Sequence, residues 1–354
     1  MIEMMEKKKS ARKILVTGGA GFVGSVCTET LLAAGHEVVV ADSLENGRRE
    51  AVLAPARLVE LELCAPAELH QLFRQEAFDA VMHFAALADV TSSVTGPHRF
   101  FQNNIIGTLN LLDAMLAHGV RDLVFSSSAS VYGEPQAAPI AESHPQNPVN
   151  AYGESKLATE RMLAWYHRAY GLRSVSLRYF NAAGATARLG EDRARESHLI
   201  PCLLDAALGK RSDIAIYGAD YPTRDGTCVR DYVHVLDIVS AHLLCLERIE
   251  DLQCAAFNVG HGTGYTVREV LQQARQVTGC PIPVRLAAAR PGDPATLVAS
   301  PEKLMTRVGW RPRCDLRQIL EDAWAWRRAH PQGYRSAVTS EMSPSAQVPQ
   351  SLPA

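Results

Sequence analysis

"VTGGAGFVGS", Val16 to Ser25, decides how the rest of the chain is read. It overlaps the end of a short apolar run, "KILVTG" (Lys13 to Gly18), and leads into a helical pattern that contains "TETLLAAGH". Gly18, Gly21 and Gly24 are spaced Gly-x-x-Gly-x-x-Gly across this strand-to-helix turn. Glycine there lets the backbone turn tightly and lets a pyrophosphate approach the helix N-terminus. Free N–H groups and the helix dipole at that end favour an anion. Glycine-rich turns also serve packing, so the spacing alone is a weak signal, and its context is what strengthens it. A second strand, "EVVVAD" (Glu37 to Asp42), ends in an acid 18 residues beyond Gly24. A carboxylate at that place accepts hydrogen bonds from the adenosine ribose and repels a 2′-phosphate, which favours NAD over NADP. Arg48 and Arg49 argue the other way, but loop arginines are commonly just solvated.

Further apolar runs follow: "AVMHFAA" (Ala80 to Ala86), "DLVFSSS" (Asp122 to Ser128) and "SVSLRYFN" (Ser174 to Asn181). Segments with helical periodicity, such as "IIGTLNLLDAMLAHG", lie between them. Continuous apolar strands separated by helices imply a parallel sheet covered on both faces. The expected fold is α/β: a Rossmann-type doubly wound parallel sheet over residues 12–181, with a smaller mixed α/β lobe over residues 182–334 that binds substrate. Elements within about 231–262, "DYVHVLDIVSAHLLCLERI" and "AAFNVG", are expected to return to the first sheet. The end of the chain, residues 335–354, is rich in Ser, Pro and Gln and reads as a disordered tail.

Composition narrows the functional classes. The chain has 354 residues, 47% of them hydrophobic and 21% charged, enough to bury a sizeable core. A net charge of -2 gives no reason to expect nucleic acid as a partner. Eight scattered cysteines show no Cys-x-x-Cys spacing, so neither a disulfide framework nor a metal site is suggested. "MIEMMEKKKSARK" lacks the apolar stretch of a signal peptide, and no apolar run is long enough to span a membrane. The expectation is a cytoplasmic globular protein without a membrane partner.

"NAYGESKLATE", Asn150 to Glu160, places Tyr152 four residues before Lys156, one helical turn apart and therefore on one face. "FSSSASVYG" follows the fourth strand, so its serines fall at the carboxyl edge of the sheet, where open α/β sheets bind ligands. Ser128, Tyr152 and Lys156 can therefore converge. A phenol has a pKa near 10, and a nearby ammonium together with a positively charged nicotinamide would lower it. Tyr152 then takes a hydroxyl proton while the carbon beneath gives up hydride, Ser128 holds the same oxygen, and Lys156 also binds the nicotinamide ribose. The plainer alternative is that Ser128 caps the next turn and Tyr152 packs.

"TGGAGFVGS", "HFAALADV", "NNIIGTLNLLDAM", "FSSSASVYG" and "YGESK", in that order, resemble the extended short-chain dehydrogenase/reductases. "LRYFNAAGA", "SHLIP", "IYGADYPTRDGTCVRDYVHVLD", "ARPGDPA" and "DAWAWRRAHPQGY" narrow the resemblance to the UDP-glucose 4-epimerase family, which is also called UDP-galactose 4-epimerase. The likeness runs from Lys13 to Tyr334. It implies a tightly held NAD, hydride removal from C4 of a UDP-sugar, a 4-keto intermediate that turns over, and return of hydride to the other face. On the cofactor side it implies roles for Phe22, Val23, Ser43, Glu62, Leu63, Phe84, Ala85, Ala86, Asn103, Ser126 and Tyr179, beside the glycines and Asp42. For the UDP-sugar it implies Asn181, His198, Leu199 and Tyr217, with Arg230 and Arg290 as diphosphate clamps and Asp293 on the uridine ribose. His83 is expected to pack at the end of its strand. A homodimer is implied too, through the helices of "NNIIGTLNLLDAM" and Tyr152.

Three positions depart from the family pattern. "LELC" stands where many members have Gly-Asp-Ile-Arg, so Glu62 replaces an aspartate. Ala88 replaces a lysine found in some members, and Leu297 stands where some carry a tyrosine that blocks an N-acetyl group. Leu297 thus leaves UDP-N-acetylhexosamines open as substrates, and a UDP-N-acetylglucosamine 4-epimerase is the nearest alternative. Sugar-nucleotide 4,6-dehydratases need an acid pair after the serine, which "SASVYG" lacks. A non-catalytic NAD sensor on the same fold is the alternative from another class.

Overall fold

A computed structural model describes residues 11–193, 196–290 and 293–334. β1 (Lys13–Thr17) passes through the glycine turn into α1 (Phe22–Ala33), and β2 (Glu37–Asp42) lies parallel beside β1. β3 (Arg57–Glu60), α2 (Pro66–Gln75) and β4 (Ala80–His83) follow. Then α3 (Val90–Thr95) and α4 (Pro97–Phe100) run through one π-helical turn, Phe101–Ile106, into α5 (Gly107–Ala117). β5 (Asp122–Ser128), a 3-10 turn at Ala129–Tyr132, α6 (Ala151–Tyr170) and β6 (Arg173–Tyr179) complete this half.

The second half contributes β7 (Asn181–Ala183), α7 (Leu199–Ala207), β8 (Ile214–Tyr217), β9 (Val229–His234), α8 (Val235–Glu247) and α9 (Ile249–Leu252). β10 (Cys254–Val259), β11 (Gly264–Thr266), α10 (Val267–Thr278), β12 (Val284–Ala287), β13 (Thr296–Leu297), α11 (Glu302–Val308) and α12 (Leu316–Ala329) follow.

The main sheet has seven strands in the order β10-β6-β5-β4-β1-β2-β3, every pair parallel. This is the expected doubly wound Rossmann-type α/β sheet. The order reverses between β1 and β4, whose ends meet at Thr17 and His83. A crevice outside the carboxyl ends of the strands at such a switch point is where these sheets take ligands. Alternate residues of β1 explain its unbroken apolar run. Ile14 and Val16 join a core with Val26, Leu31 and Ile238 of α1 and α8, while Leu15 joins a second core with Leu69 and Leu111 of α2 and α5.

"SVSLRYFN", read as a single strand, is divided. β6 stops at Tyr179, Phe180 packs against Ala129, Val131 and Tyr132, and Asn181 opens β7, which pairs with β9 instead. The two pieces adjoin with only Phe180 between them, so the division is easily read through as one strand. "AAFNVG" lies across β10 at the edge of the main sheet beside β6, and α8 packs on α1. "DYVHV" does not return to that sheet: β9 is the centre of a separate four-stranded sheet with β7, β11 and β13. A third core, built from α7, β8, α10 and α12, underlies this lobe. Among the described residues no helix is long and apolar enough to cross a membrane. The tail expected at residues 335–354 lies outside the described residues.

Candidate active site

The glycine turn has the shape an anion cradle needs. Gly18 has φ +73° and sits so close to the strand end after β4 that a Cβ would fall 2.5 Å from the Ala85 nitrogen. A Cβ on Gly24 would fall 2.2 Å from the Gly18 oxygen, so this glycine permits the close approach of α1 to the turn. Gly21 is the N-cap of α1, and neither a capping side chain nor an acid in the first turn competes for the N–H groups there. Phe22 and Val23 begin the helix. These features fit a bound pyrophosphate.

Asp42 closes the adjacent strand end. Its carboxylate accepts from the Ala20 and Leu44 N–H groups, both at 2.9 Å. Burial pushes its pKa up, and those two N–H groups oppose the rise. Ser43 beside it is exposed, as is Glu62, while Leu63 is half-buried where the chain leaves β3. Phe84, Ala85 and Ala86 form the half-buried loop after β4. Asn103 lies on the π-helical turn and donates to Asn104 Oδ1 at 2.9 Å.

His83 packs, as expected. Its two ring nitrogens meet Thr17 at 2.7 Å and Thr108 at 2.9 Å. Burial, and then the charge of Lys156, push its pKa down to about 3.

The serine, tyrosine and lysine do converge. Ser128 ends β5, and Tyr152 and Lys156 lie in the first turns of α6. Asn150 sets where α6 starts: its side chain caps the helix by accepting from the Gly153 N–H at 2.8 Å. Ser128 faces the Tyr152 hydroxyl closely enough to oppose the rise in its pKa. It also accepts from the Ser130 N–H at 3.1 Å, so the capping role and the contact with tyrosine coexist. Lys156 is 3% exposed and donates to the Ser126 carbonyl at 2.8 Å. Its ammonium lies 4.8 Å from the Phe125 ring centre and 5.8 Å from that of Tyr152. The Ser126 hydroxyl meets the Tyr179 hydroxyl, linking β5 and β6.

The electrostatics differ from the sequence expectation in one respect. Burial raises the Tyr152 pKa, and the groups that oppose it are the Ser128 hydroxyl and the charge of Arg193 rather than Lys156. Burial pushes Lys156 itself down to about 7, with the Glu160 carboxylate opposing. A cation stripped of water shifts toward its neutral form, which is why Lys156 is a weaker source of positive charge here than an exposed lysine.

The other lobe brings a second set together. Arg230 on β9 forms an ion pair with Asp293 and donates to the carbonyls of Val229 at 2.9 Å and Pro294 at 2.8 Å. Arg290 lies over the Tyr217 ring at 3.8 Å. Leu297 pairs with Arg230 across β13 and β9 and packs on the cluster that holds Ala129 and Phe180. It therefore joins the arginine strand to the turn that follows Ser128. Asn181 donates to the Asp231 carbonyl at 2.9 Å. His198 precedes Leu199 at the head of α7 and meets Glu191 at 2.8 Å. That carboxylate raises the His198 pKa against the effect of burial.

Several residues that shape this site carried no assignment in the sequence. Asn104 holds both polar groups of Leu87, at 2.8 and 3.1 Å, and donates to Ser155 at 2.9 Å, fastening the loop after β4 to α6. Glu160 and Arg178 form a buried ion pair behind the serines. Asn150 was legible, since an asparagine ahead of a helical pattern is a start signal. Asn104, Glu160 and Arg178 depend on long-range partners that local spacing does not reveal.

Comparison with known proteins agrees with this geometry. A family model described as the NAD dependent epimerase/dehydratase family matches residues 14–260. A UDP-glucose 4-epimerase of Halalkalibacterium halodurans is 49% identical over 325 residues, covering 91% of this chain and 97% of the relative. The crystal structure of UDP-glucose 4-epimerase from Brucella ovis in complex with NAD aligns with a TM-score of 0.86 at 42% identity, covering 89% of this chain and 98% of that one. The enzyme of that name from Bifidobacterium longum, in complex with NAD+ and UDP, aligns with a TM-score of 0.87 at 35% identity, covering 91% and 99%. With a dinucleotide cradle at the switch point, a serine, tyrosine and lysine at the sheet edge and a family match across most of its length, this chain belongs to the NAD dependent epimerase/dehydratase family.

Proposed function

We propose that this chain catalyses the reversible C4 epimerisation of UDP-glucose and UDP-galactose with NAD as a tightly held cofactor. The observation that carries the reading is the meeting of Ser128, Tyr152 and Lys156 at the carboxyl edge of a dinucleotide-type sheet. NAD supplies the acceptor and later the donor of the C4 hydride, taking the sugar through a 4-keto form. Tyr152, as the phenolate that Lys156 and a positively charged nicotinamide would favour, would take the proton from the sugar O4 as C4–O4 becomes a carbonyl, and return it after the sugar turns. Ser128, beside the phenol, holds the same oxygen. Lys156 supplies positive charge and a donor for the nicotinamide ribose. Gly18, Gly21, Gly24, Phe22 and Val23 cradle the pyrophosphate, and Asp42 with Ser43 takes the adenosine ribose. Glu62, Leu63, Phe84, Ala85, Ala86, Asn103, Ser126 and Tyr179 complete the cofactor's surroundings. Arg230 and Arg290 clamp the diphosphate, for which planar guanidinium groups are suited. Asp293, Asn181, His198, Leu199 and Tyr217 hold the remainder of the UDP-sugar.

A wider sugar choice is supported by one position. Leu297 stands beside Arg230 and packs toward the turn after Ser128. Leucine is smaller than the tyrosine that closes this place in some relatives, so UDP-N-acetylhexosamines are admitted as additional substrates. A homodimer accords with the exposed apolar residues Val94, Phe101, Ile106 and Trp165, which lie on α3, the π-helical turn and α6. A reducing cytoplasm accords with the free cysteines among the described residues.

The test is to supply purified protein with UDP-galactose and no added NAD and follow the C4 proton by NMR. Appearance of UDP-glucose is expected. No conversion even after NAD is supplied would reject this substrate pair.

A further inference from the structure

α6 carries a third residue on the face it presents to the sheet. Tyr152, Lys156 and Glu160 recur every four residues, so all three side chains point the same way. The Glu160 side chain is 9% exposed, and its carboxylate is fully engaged. Arg178 Nε donates to its two oxygens at 2.9 and 3.2 Å, and Arg178 Nη2 donates as well. The Ser127 hydroxyl donates to the same carboxylate at 2.5 Å. Ser127 and Arg178 face each other across β5 and β6, so one carboxylate joins a helix to two adjacent strands.

The far side of the pair is anchored too. Arg178 Nη1 donates to the Tyr132 hydroxyl at 2.9 Å, and that hydroxyl donates to Asn258 on β10 at 2.7 Å. Asn258 in turn donates to the Ile140 carbonyl at 2.8 Å. A buried ion pair is a poor source of stability, because desolvating two charges cancels most of their attraction. Its geometric effect is specific. Ser127 stands between Ser126, whose carbonyl holds Lys156, and Ser128, which meets Tyr152.

We propose that Glu160 is a positioning residue for the epimerisation site, locking α6 in register against β5 through Ser127 and Arg178 and stabilising the charge of Lys156. This rests on the epimerase reading above. The groups on the elements packed around Lys156 bear on the electrostatic part. From β4 comes His83, neutral because burial and Lys156 push it down to about 3. From β5 come the Phe125 ring and the Ser126 carbonyl. β6 offers Tyr179, kept neutral by burial, and Arg178, already paired with Glu160. α6 itself offers Tyr152, also raised by burial, and Glu160. Glu160 is the carboxylate in this set, and it opposes the fall in the Lys156 pKa that burial causes.

The sign of the pH effect follows. Lys156 loses its charge as pH rises, and Glu160 delays that loss. Without the carboxylate the loss begins at lower pH. The test is the pH profile of kcat/KM for UDP-galactose in wild type, Glu160→Gln and Glu160→Asp, with UDP affinity measured by calorimetry. In Glu160→Gln the alkaline limb is expected to move down by about one pH unit, so activity relative to wild type falls about tenfold further above that limb than below it. Glu160→Asp keeps the charge, so its limb is expected to stay in place with only kcat reduced. UDP affinity is expected to be unchanged in both. A Glu160→Gln limb that coincides with wild type, with or without a uniform loss of rate, overturns the proposal. Should Glu160→Gln not fold, Ser127→Ala leaves the ion pair intact and is expected to lower kcat several-fold at unchanged UDP affinity. A wild-type kcat in Ser127→Ala overturns it equally. Wild-type protein that converts no UDP-galactose at any pH is a different result: the epimerase reading fails, and this inference fails with it.

Discussion

The two halves of the site are built differently. Beneath Tyr152 and Lys156 the polar groups are buried and bonded to one another, from Glu160 through Arg178 and Tyr132 to Asn258. On the other lobe Arg230 is paired with Asp293, and Arg290 rests on an aromatic ring. The first half is braced from within by these bonds. The second holds its cations on one carboxylate and one ring. Proton transfer demands atoms fixed within hydrogen-bond reach, whereas gripping a flexible nucleotide tolerates partners that exchange. A 4-epimerase needs that asymmetry, since UDP must stay held while the sugar turns.

The contrast can be broken most directly at Tyr152. Tyr152→Phe is expected to lower kcat by about a thousandfold or more while leaving UDP-sugar affinity within about twofold, by steady-state kinetics and calorimetry. Equal losses in both would mean that the two halves are not separate. A variant that keeps full turnover would point to a site that does not use the phenol at all. Lys156→Met should come next, with about a hundredfold loss of kcat. In the wild type, burial holds Lys156 at about 7, so kcat/KM should decline as pH rises through and above that range. A flat alkaline profile would show that its charge is not needed.

The opposite half is probed by Arg230→Ala. Removing a charged donor to phosphate should weaken UDP binding by about 2 kcal/mol, or about thirtyfold, with kcat at saturation changed far less. A kcat loss as large as that of Tyr152→Phe would erase the distinction. Asp42→Asn should weaken NAD retention several-fold, read as cofactor lost during gel filtration, because the neutral amide is a poorer ribose acceptor. The smallest expected effect is that of Leu297→Tyr. UDP-glucose turnover should change by less than about threefold while any UDP-N-acetylglucosamine turnover falls about tenfold or more. Equal effects on both sugars would show that this position does not select between them.

How much was legible differs from one element to the next. β1, β2 and β5 are visible as apolar runs, because strands covered on both faces need no alternation. The cradle was legible because a glycine requirement is local: Gly18 takes a positive φ, and Gly24 touches the turn six residues before it. Tyr152 and Lys156 were legible because one helical turn separates them. "SVSLRYFN" misled because β6 and β7 adjoin with one residue between them, and it is the packing of Phe180 that divides them. Likewise "DYVHV" has the composition of a main-sheet strand, yet its hydrogen bonds go to β7, β11 and β13.

The sequence alone determined the parallel sheet, the dinucleotide cradle and the pairing of tyrosine with lysine, each of which depends on residues within one or two elements of each other. Only the tertiary structure decided what lies behind them. Glu160 and Arg178 are 18 positions apart, Tyr132 and Asn258 are 126 apart, and Arg230 and Asp293 are 63 apart. Periodicity and propensity act over a few residues, whereas a buried charge takes its partner from whatever surface the fold brings against it.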